Sequence, residues 1–176
     1  LPSAGKELSH RVAEVFEGVD LILHAGDIYI ASCLDWLEGI APVKAVMGAL
    51  DHLQGDPRVE ARTRVLELEG HAIGMTHELV IPGMTASEVL PGAIRKRFPA
   101  NASMTDAMKQ VFGALVDIVV LGFSHETLVE EHAGILFISP GSATWPHQRI
   151  RLGTLGILDL TPESREIRIV DMSQLD

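Results

Sequence analysis

The sequence predicts an α/β protein in which helices cover the outside of two packed sheets, an α-β-β-α sandwich in four layers. Short apolar runs at 19–24 and 43–47 each lead into a loop with glycine and aspartate, and a helical pattern separates them. Such runs are typical of strands that are buried on both faces of a parallel sheet. In the second half, short strand-like segments separated by turn residues predict a more antiparallel sheet.

The first half of the chain is predicted to form a βαβ unit followed by a hairpin. Apolar residues at helical spacing predict a first helix over 5–17. A second helix, over 31–37, joins the two buried strands. Residues 62–69 alternate between polar and apolar, Gly70 turns the chain, and 72–76 returns as the second strand of the hairpin.

The second half begins with a long segment punctuated by proline and glycine, in which we predict helices over 86–97 and 103–115. A fully apolar run over 117–121 predicts another buried strand. Four further strands are predicted over 127–131, 135–139, 152–160 and 166–170. We treat 1–176 as a single domain, in which the segment 80–116 could form a helical cap over a site.

The composition disfavours several classes of function. Of the 176 residues 47% are hydrophobic, and the formal net charge is −10. This acidity disfavours nucleic-acid binding and polybasic attachment to a membrane, but it permits an anionic substrate whose charge is offset by metal ions. The single cysteine, Cys33, excludes an intrachain disulfide and is typical of a cytoplasmic protein. No apolar run reaches the roughly 18 residues of a membrane span, and a homo-oligomer is left open.

Four loops carry aspartate or histidine after an apolar strand, and they supply Asp27, Asp51, His77 and His125. A fifth loop, 139–142, also follows a strand. Because carboxylates and neutral imidazoles at strand ends can converge on one edge, these residues predict a site for divalent metal ions. A carboxylate that bridges two metals is typical of phosphoryl hydrolysis. The alternative role for Asp27 is a helix cap, and for Asp51 it is a turn or a partner of the ligands.

Five short motifs, in this order, resemble those of the calcineurin-like metallophosphoesterases. The chain is most similar to the small bacterial and archaeal phosphodiesterase branch of the family, and it also resembles the retromer subunit that shares the fold. The motifs are Gly26-Asp27, Gly48-Ala49-Leu50-Asp51, Thr76-His77-Glu78-Leu79, Gly122-Phe123-Ser124-His125 and Ser139-Pro140-Gly141-Ser142. The resemblance covers nearly the whole chain and implies a four-layer sandwich of the metallophosphoesterase type.

The resemblance implies a hydrolase that acts on a small phosphate ester, either a diester or a monoester. It implies metal binding by Asp27, His77 and His125, and catalytic roles for Asp51 and His77. We expect Mn²⁺ as the cofactor, with Ni²⁺, Fe²⁺, Zn²⁺ and Mg²⁺ as alternatives. If the segment 80–116 caps the site, Arg95 and Arg97 could also hold a phosphate, although a solvated helix face is the simpler interpretation.

Two substitutions separate this chain from the family motifs. Ala49 stands where the family has a ligand asparagine, and Phe123 stands where it has the first histidine of Gly-His-Thr-His. Both ligands bind the second metal, so the resemblance implies a mononuclear or degraded site. Glu78 or His52 could substitute as a ligand, although a surface position is the simpler interpretation of each. The family's general-acid position is Leu50, which leaves that role vacant.

The opening Asp-x-His motif of the family has no counterpart, so the predicted fold lacks the family's first strand. Because a missing central strand would leave backbone groups unpaired, we expect about 10 more residues at the start of the native protein. Two functional hypotheses follow from these departures. The first is a metal-dependent phosphoesterase, and the second is a catalytically inactive member of the family that acts as a protein-binding module.

Overall fold

The computed structural model of the protein describes residues 6–49, 51–143 and 153–175. The α-helices in these ranges are α1 Lys6–Val15, α2 Ala31–Glu38, α3 Ala93–Arg97 and α4 Met104–Phe112. The strands are β1 Ile22–His24, β2 Val43–Val46, β3 Val59–Glu60, β4 Thr63–Leu68, β5 His71–Thr76, β6 Ile118–Leu121, β7 Thr127–His132, β8 Ile135–Pro140, β9 Thr154–Thr161 and β10 Ser164–Asp171. None of the helices in these ranges is long and apolar enough to cross a membrane.

The first half of the chain builds a parallel sheet with helices on one face. β1, β2 and β3 lie side by side in that order, with Ile22 beside Val43 and His24 beside Ala45. The core between this sheet and its helices also receives residues of β9 and of the C-terminal segment. It includes Val12, Ile22, Cys33, Leu34, Leu37, Val43, Leu155 and Met172. The predicted βαβ unit is confirmed.

The second half builds a mixed sheet in the order β4-β5-β6-β8-β7. β5, β6 and β8 are mutually parallel, whereas the edge strands β4 and β7 are antiparallel to their neighbours. A layer of buried apolar residues fills the space between the two sheets, and the hairpin of β9 and β10 also contacts it. That layer contains Val46, Ile73, Met75, Ile118, Val120, Leu136 and Ile138.

The segment 80–116 forms the outer layer on the mixed sheet. α3 lies beside β7, and α4 lies beside β4. The ring of Phe112 packs so closely on Gly74 that a Cβ there would lie 2.8 Å from it. The order of layers is therefore α-β-β-α, as predicted from the sequence.

Some local predictions differ from the structure. The helix predicted over 86–97 is divided into a 3₁₀ turn, Ala86–Glu88, and α3. Pro91 lacks a backbone N–H donor, and Gly92 has a φ of 76°, so the chain turns between the two pieces. β3 was not predicted, because two residues are too few to show a periodicity. Residue 152 of the predicted strand 152–160 lies outside the described residues.

A histidine ties the mixed sheet to the hairpin of β9 and β10. Nδ1 of His71 lies 2.9 Å from Oδ2 of Asp117, and its Nε2 lies 2.9 Å from the carbonyl oxygen of Thr161. Since both neighbours are acceptors, only the protonated imidazolium can donate to both. The hydrogen bond to Asp117 is the main cause that raises the pKa of His71 above its ordinary value, and the bond to Thr161 adds to it.

We expect the stability that His71 contributes to depend on pH. Because the folded pKa exceeds the unfolded pKa of about 6.5, the contribution is complete below about pH 6.5 and is lost as the pH rises through the folded value. Between about pH 6 and pH 9, the free energy of unfolding in urea should fall by about 1 kcal/mol more in the wild type than in His71→Gln. Equal losses in the two proteins would contradict this role for His71.

Candidate metal centre

Two neighbouring strands of the parallel sheet deliver the acidic residues of the site. Asp27 follows β1 and Asp51 follows β2, so both loops leave the same edge of the sheet. Asp51 is 4% exposed, and both of its carboxylate oxygens accept backbone hydrogen bonds. The N–H of Gly48 donates to Oδ2 at 2.8 Å, and the N–H of Tyr29 donates to Oδ1 at 2.9 Å. Asp51 therefore ties the two loops together.

We expect Asp51→Asn to lower the free energy of unfolding by roughly 2–3 kcal/mol, because the amide nitrogen cannot accept and a buried backbone N–H loses its partner. Unfolding of the metal-free protein in urea measures this change. Asp20→Asn, at an exposed position, is the matched control. A loss no larger than that of the control would show that Asp51 does not hold the loops.

Two glycines allow these loops to approach the site side chains closely. A Cβ at Gly48 would lie 2.5 Å from Oδ1 of Asp27 and 2.7 Å from its backbone nitrogen. A Cβ at Gly26, where φ is 100°, would lie 2.5 Å from Nδ1 of His77. Either side chain would displace Asp27 or His77, so close packing explains why glycine occupies both positions.

His77 follows β5, and its side chain is only 7% exposed. Its Nδ1 lies 2.6 Å from the carbonyl oxygen of Ala25, which can only accept, so Nδ1 carries the proton and donates. In the neutral imidazole, Nε2 then presents a bare lone pair, and this atom lies 3.5 Å from Oδ1 of Asp27. A lone pair that faces a carboxylate is unfavourable unless a cation, either a proton or a metal ion, occupies the site.

His125 approaches the other oxygen of the same carboxylate. It lies in the loop after β6, and its Nε2 is 3.3 Å from Oδ2 of Asp27. Each oxygen of Asp27 thus faces a different imidazole, as expected of a carboxylate that can serve two neighbouring cation positions. The side chains of Asp27 and His125 are each 27% exposed, so this side of the site is open to solvent.

The backbone around the site is strained. Asp27, Tyr29, Phe123 and His125 all have φ between 57° and 67°, the left-handed region that side chains other than glycine rarely adopt. Aspartate and histidine adopt this conformation more readily than bulky residues do, so the strain, on the order of 1–3 kcal/mol per residue, falls mainly on Tyr29 and Phe123. These two residues lie in the loops that carry Asp27 and His125.

These loops border a cavity of about 550 Å³, which is within the usual range of ligand pockets. Its wall includes β1, the start of β9 and the loop 140–143. Val12 and Leu37 form a fully buried apolar part of the wall, whereas Tyr29 and Phe123 are exposed at the rim. The cavity therefore joins an apolar interior to the polar residues after the strands.

The described residues fit a divalent cation in part. Two ligands about 2.1 Å from one ion are roughly 3.0–3.4 Å apart, which is close to the 3.5 and 3.3 Å that separate Asp27 from His77 and His125. Within the described part of the chain, however, no three His, Cys, Asp or Glu side chains form a group that could hold an ion. Ala49 is exposed and offers no donor, and the ring of Phe123 lies edge-on to His77, with centroids 5.8 Å apart.

Residues 5–163 match the family model of the calcineurin-like phosphoesterase superfamily domain. The chain belongs to this superfamily. The resemblance inferred from the five motifs is thereby confirmed. A probable metallophosphoesterase of Methanothermobacter thermautotrophicus is 27% identical over 171 residues, covering 97% of this chain and 86% of the relative. A probable metallophosphoesterase of Methanocaldococcus jannaschii is 32% identical over 140 residues, covering 80% of this chain and 62% of that relative.

Solved structures of other proteins share the fold of this phosphoesterase-superfamily chain. An archaeal phosphodiesterase superposes with a TM-score of 0.62 at 20% identity, covering 94% of this chain and 92% of that protein. Vps29 of Entamoeba histolytica, in complex with Zn²⁺, superposes with a TM-score of 0.60 at 19% identity, covering 93% of this chain and 89% of Vps29. At these identities the likeness establishes the fold.

The structure brings three of the predicted site residues together and separates the others from them. Asp27, His77 and His125 meet at the edge of the cavity. Asp51, predicted as catalytic, does not line the cavity, and the backbone occupies both of its oxygens. Its position suits an orienting carboxylate, which was one of the alternatives left open by the sequence.

The predicted phosphate ligands Arg95 and Arg97 do not line the cavity either. Nε of Arg95 lies 3.6 Å from Glu130, and a guanidinium nitrogen of Arg97 lies 2.7 Å from Glu88. No residue of the segment 80–116 lines the cavity, because the segment covers the outer face of the mixed sheet.

The substitute ligands proposed for the second metal are also outside the cavity. Glu78 and His52 are both exposed, and neither lines the cavity. The surface interpretation of both residues therefore agrees with the structure.

Sequence reasoning did not select two residues that line the cavity, His24 and Tyr29. Burial lowers the pKa of His24 to about 4, so its imidazole is neutral at pH 7, and its Nδ1 accepts from the N–H of Gly26 at 3.3 Å. Tyr29 lies beside Asp27, whose charge is the main cause that raises the pKa of the tyrosine hydroxyl. The one available signal was position, since both residues lie within three residues of Asp27.

Proposed function

We propose that this protein is a metal-dependent phosphoesterase that hydrolyses a phosphodiester or a phosphomonoester, with Asp27 and His125 holding one metal and His77 beside a second metal position. The observation that carries the proposal is the carboxylate of Asp27, whose two oxygens lie 3.3 Å from Nε2 of His125 and 3.5 Å from Nε2 of His77. A divalent metal is the cation that imidazole and carboxylate ligands bind together. The names of the archaeal relatives and of the phosphodiesterase with the same fold support phosphoester hydrolysis.

We propose a mononuclear site with Mn²⁺ as the resident ion. A Vps29 with the same fold was solved in complex with Zn²⁺, which supports a divalent metal without selecting manganese. Ala49 and Phe123 remove the two donors that would complete a second site in the family pattern. The chain then has a ligand pair, rather than a full set, at that position.

A bound divalent cation would offset charge on the phosphoryl group and make water more acidic. The residues of the chain have separate tasks in this proposal. The hydrogen bond from His77 Nδ1 to Ala25 fixes the tautomer and leaves only Nε2 as a ligand. Asp51 accepts from the backbone N–H groups of Tyr29 and Gly48 and so holds the loop that carries Asp27 against the loop after β2. Leu50, at the family's general-acid position, cannot donate a proton, so we expect esters with good leaving groups to react fastest.

A second candidate function is a protein-binding module without catalytic activity. Two observations favour it. The donors at positions 49 and 123 are replaced by alanine and phenylalanine, and Phe123 places an apolar ring beside His77, which disfavours an ion there. Vps29 also lies among the proteins that share the fold.

Elemental analysis of protein purified without chelators and dialysed against excess Mn²⁺ tests the proposal, together with hydrolysis of bis(4-nitrophenyl) phosphate. Bound manganese, and hydrolysis that EDTA removes and manganese restores, is the expected result. Protein that binds no metal and hydrolyses no ester would overturn the proposal in favour of the binding module. Metal binding without hydrolysis would also overturn the catalytic part.

A further inference from the structure

The hairpin of β9 and β10 is a separate two-stranded sheet. Over the described residues its strands pair only with each other, in an antiparallel register of eight residue pairs. A hairpin of two strands is marginally stable on its own in water, so contacts with the rest of the fold must stabilise it. Leu158, Leu160 and Ile167 pack against the layer between the two sheets, but they are only partly buried. Polar contacts therefore matter for docking the hairpin.

These polar contacts join the turn end of the hairpin to the mixed sheet. Arg165 on β10 donates to the carbonyl oxygens of Asp117 and Gly134, the second at 2.8 Å. His71, at the start of β5, lies 2.9 Å from both the carboxylate of Asp117 and the carbonyl oxygen of Thr161 in the hairpin. Its side chain is only 12% exposed. The guanidinium keeps its charge at every physiological pH, whereas the imidazole can lose its proton.

The contact made by His71 requires that proton. A neutral imidazole has one N–H, so it can donate to Asp117 or to Thr161, and its other nitrogen then turns a lone pair towards the remaining acceptor. Oδ1 of Asp117 is buried and has no hydrogen-bond partner among the described residues, which makes the carboxylate more dependent on the imidazolium. The hydrogen bond to Asp117 raises the pKa of His71 above its ordinary value. The contact is therefore complete below about pH 6.5 and is lost as the pH rises through the folded value.

The other charged groups near this contact come from neighbouring elements. Arg165 lies 3.9 Å from Oδ2 of Asp117 and 3.7 Å from Glu131 on β7, so two carboxylates share one guanidinium. Glu69, in the turn before β5, and Glu163, in the hairpin turn, are exposed, and solvent screens their charges. With the imidazolium present, two cations face two carboxylates. Loss of its proton leaves one carboxylate without a compensating cation.

The opposite end of the same hairpin forms part of the cavity wall. Thr154 and Leu155, the first residues of β9, line the cavity. The N–H of Thr154 donates to the carbonyl oxygen of Ser142 at 3.1 Å, and Ser142 also lines the cavity. Because β9 and β10 pair without interruption from Thr154 to the turn, the hairpin connects the His71 contact to the cavity wall.

We propose that the hairpin of β9 and β10 is a pH-sensitive wall of the cavity, held on the mixed sheet while His71 is protonated and released when His71 loses its proton. The hairpin then keeps only Arg165 and its apolar contacts, so it opens locally while the rest of the fold stays intact. The cavity becomes more accessible as the pH rises. This inference is independent of the proposed hydrolysis.

Hydrogen exchange of the whole chain, followed by mass spectrometry at pH 6 and pH 9 and corrected for the intrinsic exchange rate at each pH, tests the inference. Backbone amides of β9 and β10, including those of 154–157 beside the cavity, should lose about fivefold in protection at pH 9, as expected for one hydrogen bond. They should also exchange at least about tenfold faster than the amides of β6, because only the hairpin has to open.

Three variants separate this role of His71 from a general effect of pH. His71→Gln keeps a donor but cannot titrate, so its hairpin protection should change by less than about twofold between the two pH values. Asp117→Asn removes the charge that favours the imidazolium and should move the loss of protection to lower pH. His10→Gln, at an exposed position on α1, is the control and should behave as the wild type.

A fivefold loss that persists in His71→Gln, or equal protection of the hairpin and β6, would overturn the inference. A loss confined to the turn end, with the amides of 154–157 unchanged, would overturn the connection to the cavity.

Discussion

Asp27→Asn is expected to remove metal binding and ester hydrolysis together. Oδ1 and Oδ2 of Asp27 face His77 and His125 at 3.5 and 3.3 Å, so the carboxylate takes part in both ligand pairs. Asparagine keeps the shape but loses the charge and one of the two oxygens. Substituting a group that only orients a metal ligand typically lowers the metal affinity 10–100-fold. We therefore expect substitution of Asp27, which faces both imidazoles, to lower the Mn²⁺ affinity at least about 100-fold. Calorimetric titration with Mn²⁺ measures this loss.

Asp27→Asn should abolish metal binding with little effect on the stability of the fold. Asp27 has a φ of 59°, and asparagine adopts this conformation about as readily as aspartate. The variant should therefore unfold at nearly the same urea concentration as the metal-free wild type. Asp35→Asn, at an exposed carboxylate that pairs with Arg58, is the matched control and should keep full activity. Manganese affinity and hydrolysis that survive Asp27→Asn would exclude Asp27 as a ligand.

The fold could be predicted from the sequence because its main strands carry strong local signals. β2 and β6 are apolar runs that end at glycine-containing loops, and the hairpin of β4 and β5 alternates around Gly70. The break at Pro91 and Gly92 was missed because the apolar spacing continues across it. Short elements such as β3 form only because a neighbouring strand is already in place, so local pattern could not reveal them.

Only the three central residues of the candidate site could be predicted from the sequence. Asp27, His77 and His125 occupy ordered motifs at strand ends, and parallel strands bring their ends to one edge. The role of Asp51 depends on the position of the loop that carries Tyr29, and that position is set by the tertiary structure. The predicted phosphate contact of Arg95 also depends on tertiary structure. The position of α3 on the mixed sheet places Arg95 away from the cavity.

Phe123→His is expected to strengthen metal binding at the second position. Phenylalanine stands there in place of the family's metal-binding histidine, and its ring already lies edge-on to His77, with centroids 5.8 Å apart. A histidine in the same place would add an imidazole nitrogen to the pair formed by Asp27 and His77. Manganese bound at saturation should then rise from about one ion per chain towards two, as in two-metal hydrolases.

The backbone also favours this substitution. Position 123 has a φ of 67°, and histidine is found in the left-handed region more often than other bulky residues. Phe123→Leu is the matched control, because it removes the ring without adding a donor. If both variants bind as much manganese as the wild type, the imidazole does not reach the ion and the family pattern does not transfer to this loop. If only Phe123→His gains metal, the lost ligand is what keeps the site mononuclear.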